Sequence, residues 1–475
     1  MHTTHTSPSP SPPPSPLILL ACSFAFVIVQ LDVTIVNVAL PHIAAELDAR
    51  VAQLQWVVDA YTLGFAVFLL SAGVLGDMSG SRRVFLGGFA VFTLASLACA
   101  LAPGATALNL ARAVQGVGAA LLVPSSLAIL NAAYGHDKAL LARAVGWWTA
   151  AGGVSIAAGP VLGAALLELA GWRSIFWVNV PLCLAGFWLT VRRVADGAGK
   201  DPRRAFDWPG QLLAIVALTA FVGAVIEVHA LGLRHPVVLG GFVLAGAAGV
   251  LFVLAEARSG APMLPLSLFA SGAFCRAVVF GVLVNFAYYG VVFIFSLYLQ
   301  QLRGMTAMRA GLVFLPLTGT FIVSNLASGK VVARYGTRVP MIAGALIAAA
   351  GYAWLALAGV SAEAPVAAML PGLVLIPAGM GLAVPPMTTS VLSAVDARMA
   401  GTASGVLNAA RQAGGALGVA VYGALAASPV ALDAIAGTRH AVLVSAALLL
   451  VAAALAAGPA ALTALVAALR AARQS

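Results

Sequence analysis

Asp32 follows a stretch, Leu17–Leu31, that carries no charge, and Arg112 stands alone as the charged residue of the run 106–130. An ionised group inside hydrocarbon is costly, so such residues face a cavity, pair with one another, or move ions. Their depths can be compared. At 1.5 Å per residue, Asp32 lies about 22 Å from the start of its run and Arg112 about 10 Å from the start of its own. With the N-terminus in the cytoplasm the two runs point in opposite directions. Both residues then fall at a similar level in the outer half of a hydrocarbon core about 30 Å thick. A carboxylate beside a guanidinium that never deprotonates can take and release a proton as its surroundings change. A structural salt bridge is the competing reading. Proton coupling is favoured because Leu373 stands at the position equivalent to Arg112 in the second half of the chain, so charge is confined to one half. Asp59 is a further acid in an apolar run and a third candidate for proton coupling, expected near an outer vestibule. Glu227 suits an interfacial site, and Arg411, near the middle of its run, is either structural or substrate-facing.

Other chemistries lack their residues. There is no GxxxxGK[ST] to cradle nucleotide phosphates, no GxSxG, and neither HExxH nor HxxEH. The four cysteines form no CxxC pair and the seven histidines are dispersed, so no metal site and no cofactor are expected. A membrane-embedded enzyme would show clustered catalytic polar residues at a membrane face, and none is visible. The energy for any transport must then come from an ion gradient. The net charge of +10 resides in short loops between apolar runs, which is how cytoplasmic loops collect Arg and Lys. Nucleic acid is not an expected partner.

These residues must be positioned by membrane helices. The 475 residues are 62% apolar and 8% charged, against about 45–50% and 25% for a soluble domain. Fourteen runs of about 20 residues are long enough to span a bilayer, which makes this an all-α membrane protein. The expected organisation is a disordered Ser/Pro-rich cytoplasmic tail (1–16), a six-helix bundle (17–191), a charged cytoplasmic linker (192–208), two further helices (209–255), a second linker (256–272) and a second six-helix bundle (273–475). The last span is expected over 440–468. Arg and Lys are in excess in alternate loops in the sense that puts both termini in the cytoplasm.

The halves repeat one another. Gly73, Gly80 and Arg82 recur as Gly329, Gly336 and Arg338; Gly118 and Pro124 as Gly379 and Pro385; and Asp137, Gly146 and Gly159 as Asp396, Gly405 and Gly418. Three sets in one order at a nearly constant offset mark a parallel repeat, with the helices of 209–255 inserted between its copies. Within Gly73–Arg83, GVLGDMSGSRR, Gly80 permits a tight turn, and Asp77, near the adjacent Arg82 and Arg83, can cap the third helix or pair with a neighbouring helix end; such a pair would hold one conformation, a gate. In Gly152–Gly163, small residues allow close backbone approach and Pro160 favours a kink. Close packing alone would account for that segment; the functional reading is a hinge and seal between halves. Pocket-lining candidates are Tyr288, Tyr289, Phe293, Met380 and Met387, which are equally good core residues.

Together these motifs resemble the major facilitator superfamily and, within it, the fourteen-helix drug:proton antiporters. Gly73-x-Leu75-x-Asp77-x-x-Gly80-x-Arg82-Arg83 is similar to the superfamily's cytoplasmic loop motif, and Arg112-x-x-Gln115-Gly116-x-Gly118 to its proton-transfer motif. Gly153–Gly163 with Gly159-Pro160 is similar to the antiporter motif. Leu31-Asp32-x-Thr34 through Asn37-x-Ala39-Leu40-Pro41 and Gly171-Trp172-Arg173 through Asn179-x-Pro181 resemble signatures of the fourteen-helix group. Ala164 departs from the usual second glycine, and Ala333 replaces the acid in the second loop motif. The resemblance implies the major facilitator fold, two six-helix bundles plus two inserted helices. It adds Asn37 and Gln115 to the substrate-facing candidates. It also implies alternating access in the bacterial plasma membrane, with protons exchanged for drugs or antibiotics by a monomer in the lipid bilayer. The alternative is a dedicated exporter of one metabolite or self-made antibiotic.

Overall fold

The computed structural model describes residues 15–134, 138–195, 206–260, 262–361, 363–395, 399–426 and 430–458. Residues 1–14 of the expected tail, most of the first linker, the repeated pair Asp137 and Asp396, and residues 459–475 lie outside the described residues, while Ser15 and Pro16 already start the first helix. What is described is almost wholly helical, as it must be where no water is present to satisfy backbone N–H and C=O groups.

The first group comprises α1 (Pro16–Leu47), α2 (Val51–Ser79), α3 (Ser81–Ala100), α4 (Ala105–Tyr134), α5 (Lys138–Ala170), α6 (Ser174–Trp177) and α7 (Asn179–Arg193). Two helices follow, α8 (Trp208–Leu231) and α9 (Pro236–Arg258). The last group is α10 (Gly272–Leu297), α11 (Ala307–Val313), α12 (Leu315–Tyr335), α13 (Arg338–Trp354), α14 (Val366–Ser393), α15 (Ala400–Ala426) and α16 (Ala431–Ala457). Helix starts follow local chemistry. Ser15 caps α1 ahead of Pro16, Asp207 caps α8 by accepting from Gly210 N–H, and His235 precedes Pro236 at α9. The span expected over 440–468 begins earlier, at Ala431, because the chain is extended at Val430, and it closes at Gly458.

Among the described residues, twelve helices are long and apolar enough to cross a membrane, or thirteen if Arg143–Ile156 and Ala158–Ala170 make one span bent by 45°. That bend falls where the ring of Pro160 meets the carbonyl one turn back. α15 is 27 residues long but is not among the apolar spans, because Ser404, Asn408, Arg411 and Gln412 interrupt it.

The two groups pack alike. α2 and α3 both lie on α4, α1 on α5, and α7 on α1 and α3; correspondingly α12 and α13 lie on α14, α10 on α15, and α16 on α10 and α13. The groups meet along α2 with α15 and along α5 with α11 and α12. α8 and α9 pack on each other, and α8 lies over the α2–α15 seam through Val222, Ile226, Leu63, Ala416 and Ala420. Two repeated glycines make corresponding turns at positive φ: Gly80 between α2 and α3 has φ 94°, and Gly336 between α12 and α13 has φ 72°. These are backbone conformations that side chains disfavour. They define one end of the molecule, called the Gly80 end below.

Candidate functional site

Asp32 and Arg112 meet. Both side chains are fully buried, and Arg112 Nη1 bonds Asp32 Oδ2 in an ion pair between α1 and α4. Gln115, one turn beyond Arg112, links the two: its Oε1 accepts from Arg112 Nη1 at 2.7 Å and its Nε2 donates to Asp32 Oδ1 at 2.9 Å. Asn179 of α7 donates to the same Oδ1 at 3.0 Å. Ser96 of α3 accepts from Gln115 at 2.9 Å. Arg112 Nε donates to the Val57 carbonyl at 2.8 Å, and the guanidinium lies 4.3 Å from the centre of the Tyr61 ring, a cation–π distance. Residues of α4 and α7 thus bond one carboxylate of α1, and α2 and α3 hold those partners in turn. A deep ion pair needs its remaining donors and acceptors met; Gln115 and Asn179 do this for Asp32 Oδ1, and the Val57 carbonyl and Gln115 for Arg112 Nε and Nη1, whereas Arg112 Nη2 is buried without a hydrogen-bond partner.

Asp59 does not join this network. It is fully buried, not at a vestibule, and both its carboxylate oxygens lack a hydrogen-bond partner. Gln55, Asp59 and Leu63 share one face of α2 at four-residue spacing, the face that meets α15. Gln55 Nε2 donates there to the Ala420 carbonyl at 2.8 Å.

A cavity of about 430 Å³ lies between the two bundles, with a recess of about 60 Å³ beside it. Phe26 and Gln30 of α1, Phe65 and Leu69 of α2, and Asn408, Arg411 and Gln412 of α15 place it toward the Gly80 end. Tyr289 and Arg411 line both spaces, and Tyr288 and Met380 line the recess. The other expected pocket residues lie elsewhere. Phe293 and Met387 are packed in the core, Gln115 belongs to the charge network, and Asn37 is buried with its amide turned to the Val33 carbonyl at 3.0 Å.

At the end opposite Gly80 the halves are sewn together. Ser296 Oγ donates to the Asn37 carbonyl at 2.7 Å and Gln300 Nε2 to the Val38 carbonyl at 3.1 Å, alongside the Gln55 bond. On the same side Glu46 pairs with Arg173 and accepts from Trp172 Nε1 at 2.7 Å, fixing α1 to the α5–α6 turn. The small-residue segment of α5 divides its work. Gly153 lines the cavity, whereas a Cβ at Gly159 would lie 2.0 Å from Thr34 Oγ1, and one at Gly163 2.8 Å from Ile35, so this stretch packs directly on α1.

In the expected gating loop, a Cβ at Gly73 would meet nothing within 4 Å. Arg82 Nη2 donates to the Val191 carbonyl of α7 at 3.1 Å, and Arg83 is exposed. Residue 77 lies in the last turns of α2, and its side chain is outside the described residues. No cluster of His, Cys, Asp and Glu suited to a metal occurs among the described residues.

Ser96, Tyr61 and the cavity amides of Gln30, Asn285, Asn325, Asn408 and Gln412 were not singled out from the sequence, and Asn179 was quoted without a role. Their one signal is a polar side chain in an apolar run, which many residues here share.

Residues 22–419 match the family model described as Major Facilitator Superfamily. The chain is 40% identical over 401 residues to the multidrug resistance protein Stp of Mycobacterium tuberculosis, covering 84% of this chain and 74% of the relative. It is 40% identical over 395 residues to the methylenomycin A resistance protein of Streptomyces coelicolor (83% and 82% covered). Against the tetracenomycin C resistance and export protein of Streptomyces glaucescens it is 37% identical over 407 residues (85% and 74%). Among solved structures, a peptide-conjugate complex of a POT family transporter superposes with TM-score 0.69 at 12% identity, covering 92% of this chain and 93% of that one. A bacterial homologue of the human lysosomal transporter Spinster superposes with TM-score 0.67 at 17% identity (93% and 96%). At such identities the likeness is one of fold.

Proposed function

The chain belongs to the major facilitator superfamily, and we propose from that premise that it is a proton-coupled antiporter exporting drugs or antibiotics across the bacterial plasma membrane. A transporter rather than an enzyme, with a multi-pass location in a bacterial membrane, accords with its relatives, which are named for multidrug or antibiotic resistance and export. In this reading α15 and the bent α5 bring the spans to fourteen, α8 and α9 are inserted between two six-helix bundles, both termini are cytoplasmic and the protein works as a monomer. The Gly80 end then faces the cytoplasm, and the conformation described is open inward and sewn shut outside.

The observation that carries the coupling is the buried carboxylate of Asp32, held by Arg112, Gln115 and Asn179 in one bundle and separate from the shared cavity. When the outer seam opens, Asp32 takes a proton from outside; the neutral carboxyl releases Arg112, and the proton leaves inward on the return. Arg112 stays charged throughout and holds the emptied site together. Asp59 is the second candidate acid, since the separation of α2 from α15 would wet it. Asp77, with Gly73, Gly80, Arg82 and Arg83, is assigned to the gate. Gly153, Gly159, Pro160 and Gly163 are assigned to the hinge.

The test is substrate-induced proton release from purified protein together with uphill export in everted vesicles. Asp32→Asn is expected to abolish both. An Asp32→Asn variant that still exchanges protons and exports against a gradient would move the coupling site elsewhere. The second reading, a dedicated exporter of one compound, draws on relatives named for a single antibiotic; protection of cells against only one compound of a broad panel would favour it.

A further inference from the structure

Among the described residues, Arg411 is the one charged residue lining the cavity and its recess. Its stem runs beside Gly281 of α10, where a Cβ would lie 3.1 Å from Arg411 Cγ. Gly415, one turn further along α15, leaves room for the Tyr289 ring, which a Cβ would approach to 2.8 Å. Two absent side chains thus keep the guanidinium and a phenol on the cavity wall.

Among the described residues Arg411 has no counterion: it is in neither of the pairs Arg112–Asp32 and Arg173–Glu46, and its Nε is buried without a hydrogen-bond partner. Around it the cavity offers neutral amides. Asn285 Nδ2 is spent on the Gly281 carbonyl at 2.8 Å and Asn408 Nδ2 on the Ser404 carbonyl at 3.0 Å. Much of the remaining lining is apolar, including Phe26, Phe65 and Phe321, with Gln30 and Asn325 as further neutral amides. An unopposed cation in such a place is expensive and repels a second cation, whereas its planar fork fits a carboxylate in a bidentate arrangement.

We infer that the cavity takes organic monoanions, an apolar body carrying one carboxylate or similarly acidic group, in preference to lipophilic cations. The inference rests on the export reading above and narrows its substrate class.

The probes are 1-pyrenebutyrate, its methyl ester and 1-pyrenebutylamine, three molecules with one apolar body and different charge. They are titrated by fluorescence against the full-length protein in lipid nanodiscs. The carboxylate is expected to bind about tenfold or more tighter than the ester, with the amine weakest. Arg411→Gln should erase that ratio while ester binding, which also reports folding, stays within about threefold; Arg411→Lys should retain part of it. Equal binding of acid and ester, preference for the amine, binding of none of the three, or a ratio that survives Arg411→Gln would each overturn the inference. Protection of cells by the wild-type protein against a drug panel tests export separately. Protection without charge preference sinks only the inference, and absence of protection sinks the export reading.

Discussion

Gly311 of α11 lies against the carbonyl of Pro160 in α5: a Cβ there would come within 2.8 Å of that oxygen and 3.2 Å of the Ala164 methyl. The contact joins the two bundles where α5 bends. It also explains how Ala164 is tolerated where the family's antiporter motif usually has glycine, since the space is given up on the facing helix instead.

Gly311→Leu should therefore wedge the seam apart at the end opposite Gly80. Ser296, fully buried there, supplies the probe. With Ser296→Cys in place, a membrane-impermeant maleimide is expected to react several-fold faster when Gly311→Leu is added. Equal rates would show that the α5–α11 contact does not hold the seam.

Two glycines of the loop motif should behave differently. Gly80 has φ 94° and ψ 129°, a region that costs a side chain about 1–3 kcal/mol. Gly73 is helical, with nothing within 4 Å of a Cβ. Gly80→Ala should lower the thermal unfolding midpoint by several degrees and Gly73→Ala should leave it nearly unchanged or raised. Equal effects would mean that the turn's backbone is not what the motif preserves.

Helices α8 and α9 should lie outside the transport path. α9 exposes Val243 and Val250, 71% and 62% accessible, as a lipid-facing helix does, and among the described residues the cavity draws none from either helix. Cysteines at 243 and 250 should react with lipid-soluble reagents at rates that an exported compound does not change, whereas one at Gln412 should be protected. Strong protection on α9 would overturn this layout.

The meeting of Asp32 and Arg112 was legible because it needs only helix rise and chain direction. The repeat was legible because Gly80 and Gly336 must be glycine for a backbone reason. The partners of the pair were not. In a membrane helix a polar side chain can satisfy itself on its own backbone, as Asn37 does on Val33 and Thr62 on Val58. A polar residue in an apolar run therefore does not announce that it reaches across, as Asn179 does. The cavity was only partly legible for a related reason. Tyr289 and Phe293 stand one turn apart on α10, and no feature of residue type says that the first lines a space while the second is core. Asp59 was expected at a vestibule because it sits near a helix end, but the packing of α15 and α8 over that face of α2 buries it.

Gln115 and Asn179 separate positioning from mere packing at the Asp32 site. Gln115 bonds Arg112, Asp32 and Ser96, whereas Asn179 bonds Asp32 and, at 3.4 Å, Ser96. Removing a donor from a buried carboxylate costs about 1–3 kcal/mol, and removing the side chain that bridges acid and base also loosens their registry. Gln115→Leu should reduce uphill, gradient-driven export by about tenfold or more, and Asn179→Leu by roughly fivefold, at about 1.4 kcal/mol per factor of ten. Downhill movement of the same compound, measured in vesicles without a proton gradient, should fall much less in both. The contrast between the two fluxes is the informative quantity, because a variant that only folds poorly loses both in proportion. Proportional loss in Gln115→Leu would assign the residue to packing. Loss of uphill flux alone assigns it to holding Asp32 and Arg112 in the geometry that couples them.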